Sequence, residues 1–344
     1  MHRGVHLVGS VCLPSEEETF IHCSALLPGR LRRIPDGEPQ HRRNFTMFQQ
    51  SIFANAPVVL RKYDDKFNSL PAEPISAEEV DKVVKSLGEL HTGYDDAAIN
   101  SYQIFSNLRK QGKIDSHVKF QVSLPTPANV MCLIAEPFQA ALEPVYERAI
   151  LRDLERLTTE IPKHDLAVQW DVASEIAYLE EGAEWPHFKP YVANVKEHFV
   201  GAMHRLGNAV DPAVEMGFHL CYGDLGHRHF KEPKDLSLLV EIAGELFRGI
   251  HRRVQWLHMP VPKDREDAAY FAPLKQCHML WGTELYLGVV HAHDEDGTRR
   301  RIKTASDVVG AFGVATECGM GRTPPEDFAS IMQISAAVSQ PIKN

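Results

Sequence analysis

Residues 217–224 read Gly-Phe-His-Leu-Cys-Tyr-Gly-Asp, a short and mostly apolar run that ends in a glycine turn. Such a run, bounded by turn residues, predicts a buried β-strand. Residues two apart on a strand face the same side. We therefore expect His219 and Cys221 to present an imidazole and a thiol together at the carboxyl end of this strand.

Similar apolar runs recur along the chain, and together they give eight strands, the number in a (β/α)₈ barrel. Each ends in polar residues, glycine or proline, as strands in parallel sheets commonly do. The predicted strands are residues 5–11, 57–63, 118–124, 166–172, 217–222, 254–259, 284–291 and 313–317.

Stretches with helical periodicity separate several of these strands. Residues 138–161, 192–206 and 236–250 each repeat apolar side chains every three to four positions. Thr323-Pro324-Pro325-Glu326 predicts the start of a final helix. Strands that alternate with helices predict an α/β fold, here a single TIM barrel over residues 1–344 with insertions near the N-terminus at residues 14–55 and 73–116.

The composition narrows the possible partners. Hydrophobic residues make up 44% of the chain and charged residues 24%, which is typical of a globular protein. A formal net charge of -9 argues against a nucleic-acid partner. No apolar run approaches the about 20 residues of a membrane helix, so we expect no membrane partner and a cytoplasmic location. The oligomeric state is left open, with a homodimer as one option.

The cysteine pattern suggests ligands rather than disulfides. Six cysteines scattered over 344 residues do not form a disulfide framework, so reduced thiols are expected. Residues 313–322, Gly-Val-Ala-Thr-Glu-Cys-Gly-Met-Gly-Arg, place Cys318 after another buried strand. In a parallel barrel Cys318 and Cys221 would share the face that carries active sites, together with His219. Two thiols and an imidazole suit zinc. The alternative is that both cysteines are small buried apolar residues.

Further candidate residues lie at or near other strand ends. His258 could supply another metal ligand, and His291 and His293 could act as ligands or general acids. Asp171 closes a predicted strand, and Glu38 follows a turn-like Pro-Asp-Gly. The weakest candidates lie in a loop-like Gly-His-Arg-His segment and are His227 and His229.

Six groups of residues, in order along nearly the whole chain, resemble the C-terminal catalytic barrel of cobalamin-independent methionine synthase. That family belongs to a wider group that includes uroporphyrinogen decarboxylase. The His-Leu-Cys-Tyr of residues 219–222 resembles the family's H-M-C-Y, and the Thr-Glu-Cys-Gly of residues 316–319 resembles its P-D-C-G. The other matches are residues 7–10 (I-G-S in the family), 36–38 with 43–48 (H-G-E and R-N-D-M-V-x-Y-F), 168–171 (I-Q-I-D) and 288–293 (G-V-Y-D-I-H).

The resemblance implies a zinc site. His219, Cys221 and Cys318 occupy the positions of family ligands, and His258 falls where the family has a glutamate ligand. The family's I-D-E-P-A reads Trp-Asp-Val-Ala-Ser at residues 170–174, so this chain lacks the glutamate and the proline.

The resemblance also implies a substrate site. Ser10, Glu38 and Asp171 would contact the amino-acid part of a thiol substrate, and His293 would lie beside the methyl-transfer centre. Arg322, which follows the last predicted strand, is a further expected substrate contact.

The leading hypothesis is zinc-dependent transfer of a methyl or other alkyl group to or from a small thiol, with zinc activating the thiolate. His293 would protonate the leaving group, and the partners would be a small-molecule thiol and an alkyl donor. A second hypothesis is a metal-independent decarboxylase or lyase in which Asp171, His293 and Arg322 handle a small acidic substrate. A third is a barrel without catalytic activity that binds a small molecule or a partner.

Overall fold

Eight parallel strands form one sheet in the order β1-β8-β7-β6-β5-β4-β3-β2. The computed structural model describes residues 4–65, 69–180, 188–223, 228–277 and 282–342. The strands are β1 (Val5–His6), β2 (Arg33–Pro35), β3 (Lys119–Pro125), β4 (Leu166–Val172), β5 (Glu215–Leu220), β6 (Trp256–Pro260), β7 (Glu284–Val290) and β8 (Gly313–Thr316).

Isolated parallel bridges join the first and second strand segments. Val5 pairs with Leu31, and Ser10 pairs with Gly37. The backbone N–H of Val11 also donates to the Gly37 carbonyl over 2.8 Å. The sheet is therefore a nearly closed barrel, and the predicted α/β fold class, a (β/α)₈ TIM barrel, is confirmed.

Helices flank the barrel between successive strands. No helix in the described ranges is long and apolar enough to cross a membrane. The 3₁₀ segments include Gln40–Phe53, Pro57–Val59, Ala272–Gln276 and Pro325–Asp327. The α-helices are α1 (Glu16–Leu26), α2 (Ala77–Ser86), α3 (Tyr94–Lys110), α4 (Pro127–Met131), α5 (Glu136–Glu160), α6 (Ser174–Leu179), α7 (Val195–Ala209), α8 (Ser237–Gly249), α9 (Ala268–Phe271), α10 (Glu295–Val309) and α11 (Phe328–Val338).

The predicted second strand, residues 57–63, is wrong. Pro57–Val59 forms a 3₁₀ turn, and Leu60 and Tyr63 make only isolated antiparallel bridges, to Ile134 and Ser69. The true second strand is β2, in the segment that we expected to be an insertion. Its sequence, Arg-Ile-Pro, contains no apolar run that would predict a strand. Its arginine is buried because ion pairs compensate its charge.

The other seven predicted strands are found where the sequence placed them, and residues 166–172 match β4 throughout. The predicted helices 138–161, 192–206 and 236–250 correspond to α5, α7 and α8. The extra length near the N-terminus lies between β2 and β3 and contains α2 and α3. The elements of this connection pack on α5 and α1, outside the barrel.

The centre of the barrel contains a polar pair among aromatic rings. His6 Nε2 lies 2.8 Å from Gln169 Oε1, and Trp256 Nε1 donates to the same oxygen over 3.2 Å. Gln169 also donates through Nε2 to Asp171 Oδ1 over 2.8 Å. Gln169 therefore connects the barrel core to the carboxyl ends of the strands.

The amino ends of the strands carry a buried ion-pair network. Arg33 is only 3% exposed and contacts Glu215 and Glu284 over 2.7 Å and 2.9 Å. Its guanidinium lies 4.1 Å from the centre of the Trp256 ring. Lys119 adds an ion pair to Glu215 over 3.3 Å. This end of the barrel is closed by mutually compensated charges.

Candidate functional site

Two thiols and an imidazole meet at the carboxyl ends of the strands. Cys221 Sγ lies 3.7 Å from Cys318 Sγ, and Cys318 Sγ lies 3.8 Å from His219 Nε2. All three donor atoms lie within 4.8 Å of one another. The sequence prediction that distant residues converge here is thus supported by the geometry.

The spacing of these donors matches what zinc requires. In a tetrahedral site with Zn–S bonds of about 2.3 Å and Zn–N bonds of about 2.0–2.1 Å, two sulfurs lie about 3.8 Å apart and a sulfur and a nitrogen about 3.6 Å apart. The observed 3.7 Å and 3.8 Å agree with these values. Burial lowers the pKa of His219 well below its usual value, so its imidazole is neutral, the form that binds metal.

Strand geometry explains how His219 and Cys221 come together. His219 is in β5, and Cys221 follows that strand by one residue, so both side chains face the same side. The Gly223 N–H donates to Cys221 Sγ over 3.2 Å. This bond helps to fix the position of the Cys221 sulfur.

Glycines position the turn that carries Cys318. A side chain at Gly288 in β7 would lie 2.7 Å from Glu317 Cα, so only glycine lets β7 approach this backbone. A side chain at Gly319 would lie 2.4 Å from Ser10 Oγ. Ser10 accepts from the Gly321 N–H through Oγ, and its carbonyl accepts from the Met320 N–H over 2.7 Å. The predicted substrate residue Ser10 therefore also holds the Cys318 turn.

His258 lies beside the three donors rather than among them. It is directly opposite His219 in the β5–β6 register. Its Nδ1 lies 2.7 Å from His219 Nδ1, and its Nε2 lies 3.0 Å from the Thr316 carbonyl oxygen. Burial lowers the pKa of His258 to about 3, so this ring is neutral. Both ring nitrogens are occupied by protein partners.

Two carboxyl groups near the carboxyl ends of the strands have raised pKa values. Burial, aided by Asp36, raises the pKa of Glu38 to about 7, although Arg42 and Arg322 oppose the shift. Burial and Glu38 raise the pKa of Asp171 well above its usual value. Cys318 is also close enough to contribute to the Asp171 shift. Among the predicted substrate residues, Glu38 therefore interacts electrostatically with Arg322 and with Asp171, and Asp171 also interacts with Cys318.

Glu38 is held by a strained turn. Its φ is +48°, in the left-handed region that non-glycine residues rarely occupy. Its N–H donates to Asp36 Oδ1 over 2.9 Å, while Arg42 and Ser101 donate to Asp36 Oδ2. Asp36 is therefore the anchor of this turn.

His293 lies at the outer rim of the mouth. Its side chain is 66% exposed, and its Nε2 lies 2.8 Å from Asp327 Oδ1. Its backbone N–H donates to Ser330 Oγ over 2.8 Å. His293 thus joins the start of α10 to α11 and faces solvent, and its catalytic role stays a prediction.

A cavity of about 330 Å³ opens beside Cys318. Asp327, the partner of His293, is one of its walls, so His293 borders this space without lining it. His291 also lines it, with Nε2 2.9 Å from the Val261 carbonyl oxygen. The lining residues are Val290, His291, Ala292, Thr316, Glu317, Cys318, Gly319, Met320, Thr323, Pro324, Asp327 and Ile331.

The wall of this cavity contains an ion pair that was not predicted. His229 Nε2 lies 2.9 Å from Glu317 Oε1, and its Nδ1 lies 3.0 Å from Glu232 Oε2. Burial opposes protonation of His229, yet the two glutamates raise its pKa to about 9. The Gly-His-Arg-His segment was the only sequence signal for this residue. His227 in that segment lies outside the described residues.

Comparison with known proteins gave only remote similarities. No family model and no curated protein matches the sequence. A B12-independent methionine synthase from Shewanella sp. W3-18-1, in complex with selenomethionine, is similar in structure with 12% identity and a TM-score of 0.44. That match covers 72% of this chain and 66% of the synthase, just under two thirds of it.

A hyperthermophilic beta-glucosidase from Pyrococcus furiosus is similar at a comparable level. It has 11% identity and a TM-score of 0.40, over 99% of this chain and 95% of the glucosidase. At these values neither similarity says what this chain binds or does.

Proposed function

We propose that this protein is a zinc-dependent transferase that moves a methyl or other alkyl group to or from a small thiol. The observation that carries the proposal is the separation of 3.7 Å between Cys221 Sγ and Cys318 Sγ, with His219 Nε2 3.8 Å from Cys318. Cys318, which follows β8, is 97 positions from Cys221 and 99 from His219, and these two lie at the end of β5. Their convergence to zinc-like spacing supports a shared ion.

Zinc bound by three protein ligands would lower the pKa of a thiol and supply a nucleophile at neutral pH. Other residues of this chain would bind the substrates and deliver a proton. Glu38 and Asp171 carry acid groups with raised pKa values, and their oxygens suit the ammonium group of an amino-acid thiol. The cavity beside Cys318 gives the alkyl donor a place next to the sulfur site. His293, at its rim, would deliver the proton to the leaving group.

The partners that we propose are a small-molecule thiol and an alkyl donor. We also propose a cytoplasmic location, because the site needs reduced thiols and none of the six cysteines is in a disulfide.

Metal analysis of the purified protein tests this function. We expect about one zinc per chain in the wild type, purified without chelators, and loss of that zinc in Cys221→Ser and in Cys318→Ser. Cys132→Ser is the matched control. Cys132 is partly exposed like Cys318, and its Sγ donates to the Asn129 carbonyl over 3.0 Å, a bond that serine can replace. Folding of each variant is checked by thermal unfolding.

Retention of zinc in both site variants, or a wild type that binds no zinc when it is supplied, contradicts the proposal. In the second case the metal-independent decarboxylase or lyase becomes the better hypothesis. The observation in its favour is the Glu38–Asp171 pair, because carboxyl groups with raised pKa values can act as general acids near neutral pH. Release of CO₂ from small carboxylic acids by the metal-free protein would test it.

A further inference from the structure

A pair of buried histidines on neighbouring strands carries a further inference. His258 is completely buried and His219 is 4% exposed. Their Nδ1 atoms lie 2.7 Å apart, and the centres of their rings lie 4.7 Å apart. At 2.7 Å one nitrogen must donate a hydrogen and the other must accept it.

The direction of this hydrogen bond follows from the third partner. A carbonyl oxygen can only accept, so the proton of His258 lies on Nε2, which faces the Thr316 carbonyl at 3.0 Å. A neutral imidazole carries one N–H, so His258 Nδ1 is an acceptor. His219 must then donate from Nδ1, which leaves its Nε2 with a free lone pair. That Nε2 is the atom that lies 3.8 Å from Cys318 Sγ.

The surroundings of the two rings agree with neutral imidazoles. The nearest titratable ring is His6, whose centre lies 5.9 Å from that of His258 and whose own Nε2 hydrogen bond is to Gln169. Within the described ranges, no carboxylate hydrogen-bonds to either His219 or His258.

We propose that His258 is a positioning residue for the metal site: it accepts the Nδ1 proton of His219 and thereby presents His219 Nε2 to the ion. This inference rests on the proposed zinc site, and it places His258 outside the ligand set in which the sequence prediction included it. Metal-binding histidines generally donate their second ring N–H to a fixed acceptor, and loss of that acceptor typically lowers metal affinity 10- to 100-fold.

This relay of hydrogen bonds, from His219 through His258 to Thr316, also reaches the turn that carries Cys318. Thr316 accepts from His258 through its carbonyl and donates through Oγ1 to the Cys318 carbonyl over 2.7 Å. His258 therefore ties the strand that carries His219 to the turn that carries Cys318. One buried ring fixes both the orientation of the nitrogen donor and the position of a sulfur donor.

Zinc affinity, measured by competition with a chelator, tests the relay. We expect His258→Leu to weaken zinc binding 10- to 100-fold, because leucine cannot accept the His219 proton. His258→Gln should keep affinity within about threefold of the wild type, because its amide can accept from His219 and donate to Thr316. His6→Leu is the control. His6 is equally buried at 2% exposure, but it hydrogen-bonds to Gln169 rather than to a proposed ligand.

Nitrogen-15 NMR of the histidine rings gives a second readout that needs no metal. In the metal-free wild type we expect His219 to be protonated on Nδ1 and His258 on Nε2. In His258→Leu the Nδ1 preference of His219 should be lost. Thermal unfolding of each metal-free variant separates a change in the site from a change in the fold.

The outcomes separate the relay from the zinc site itself. A wild type without zinc affinity contradicts the proposed function, while the NMR tautomers still decide the relay. A metal-free His219 protonated on Nε2 overturns the relay. So does a folded His258→Leu that binds zinc as tightly as the wild type. If His258→Leu does not fold, the wild-type tautomers and the affinity of His258→Gln still decide.

Discussion

The two ends of this barrel bury polar groups in opposite ways. At the amino end, Arg33 is nearly inaccessible, yet two glutamates and the face of Trp256 surround its guanidinium. At the carboxyl end, burial raises the pKa of both Glu38 and Asp171, and Glu38 and Cys318 add to the Asp171 shift. One end satisfies its own charges. The other end brings together carboxyl groups and sulfurs, whose negative charge a bound cation would compensate.

This difference indicates how the barrel divides stability and function. In TIM barrels the carboxyl face carries the active site, while the amino face contributes to stability. In this chain the compensated ion pairs lie at the amino end and the candidate site lies at the carboxyl end. We therefore expect changes at the amino end to alter the free energy of unfolding, and changes at the carboxyl end to alter metal binding and pH dependence.

The largest effect on stability is expected from Arg33→Met. Removing the cation leaves Glu215 and Glu284 partly buried, with only the more exposed Lys119 and Arg32 still paired to them. Breaking a buried ion pair typically costs 3–5 kcal/mol, and the partial exposure of the glutamates reduces our estimate to about 3 kcal/mol. Urea unfolding measures this loss in the free energy of unfolding. Zinc affinity of the folded variant should stay within about threefold of the wild type. A stable variant with weakened zinc binding would reverse the assignment of the two ends.

Gly288→Ala should affect both stability and the metal site. The new methyl would lie 2.7 Å from Glu317 Cα and 2.8 Å from the Thr316 carbonyl, so the backbone before Cys318 must move. Overpacking of this kind costs about 1–3 kcal/mol, and zinc affinity should fall with it.

Gly201→Ala is the matched control for Gly288→Ala. It lies in α7, where a methyl would meet only the Arg205 side chain at 3.6 Å. Alanine there should stabilise the protein by about 0.5–1 kcal/mol and leave zinc binding unchanged. Equal effects of the two substitutions would show that β7 does not position Cys318.

A smaller effect than that of Arg33→Met should come from Glu38→Gln, and it should depend on pH. The folded pKa of Glu38, about 7, lies above the ordinary value of 4.5, so the folded state disfavours the ionised form. Its contribution to stability is fully present below pH 4.5 and is lost as pH rises through 7. Glutamine does not ionise, so the variant should gain about 1–2 kcal/mol on the wild type between pH 5 and pH 8, after discounting for the partial exposure of the side chain. A gain that is the same at both values contradicts the raised pKa.

Much of the fold could be predicted because most strands of a parallel barrel are buried on both faces. Residues 166–172 are all buried in β4, and their mostly apolar sequence predicts a buried strand. The second strand could not be predicted by this rule. Arg33 begins it, and its burial depends on glutamates 182 and 251 positions away, which no local pattern reveals. The run at residues 57–63 satisfied the pattern but packs outside the barrel.

The candidate site could be predicted in part for a related reason. Alternation on β5 places His219 and Cys221 on one side, and the shared carboxyl face brings Cys318 to them. The tautomer of His219 could not be predicted, because it depends on a carbonyl in β8 that His258 contacts. His229 was ranked among the weakest candidates, because its ion pair is formed with Glu317, a residue 88 positions later that no local pattern connects to it.

The short first strand affects the local stability of the barrel wall. Among the described residues, isolated bridges rather than a continuous ladder connect it to the second strand segment, and Ser10 and Gly37 form one of them, directly before Glu38. We expect this seam to fluctuate more than the continuous β3–β4–β5 ladder, with faster amide exchange at Val11, whose N–H donates across it. A substrate that contacts both Ser10 and Glu38 would bridge the seam and slow that exchange. Substrate capture and completion of the barrel wall would then be the same event.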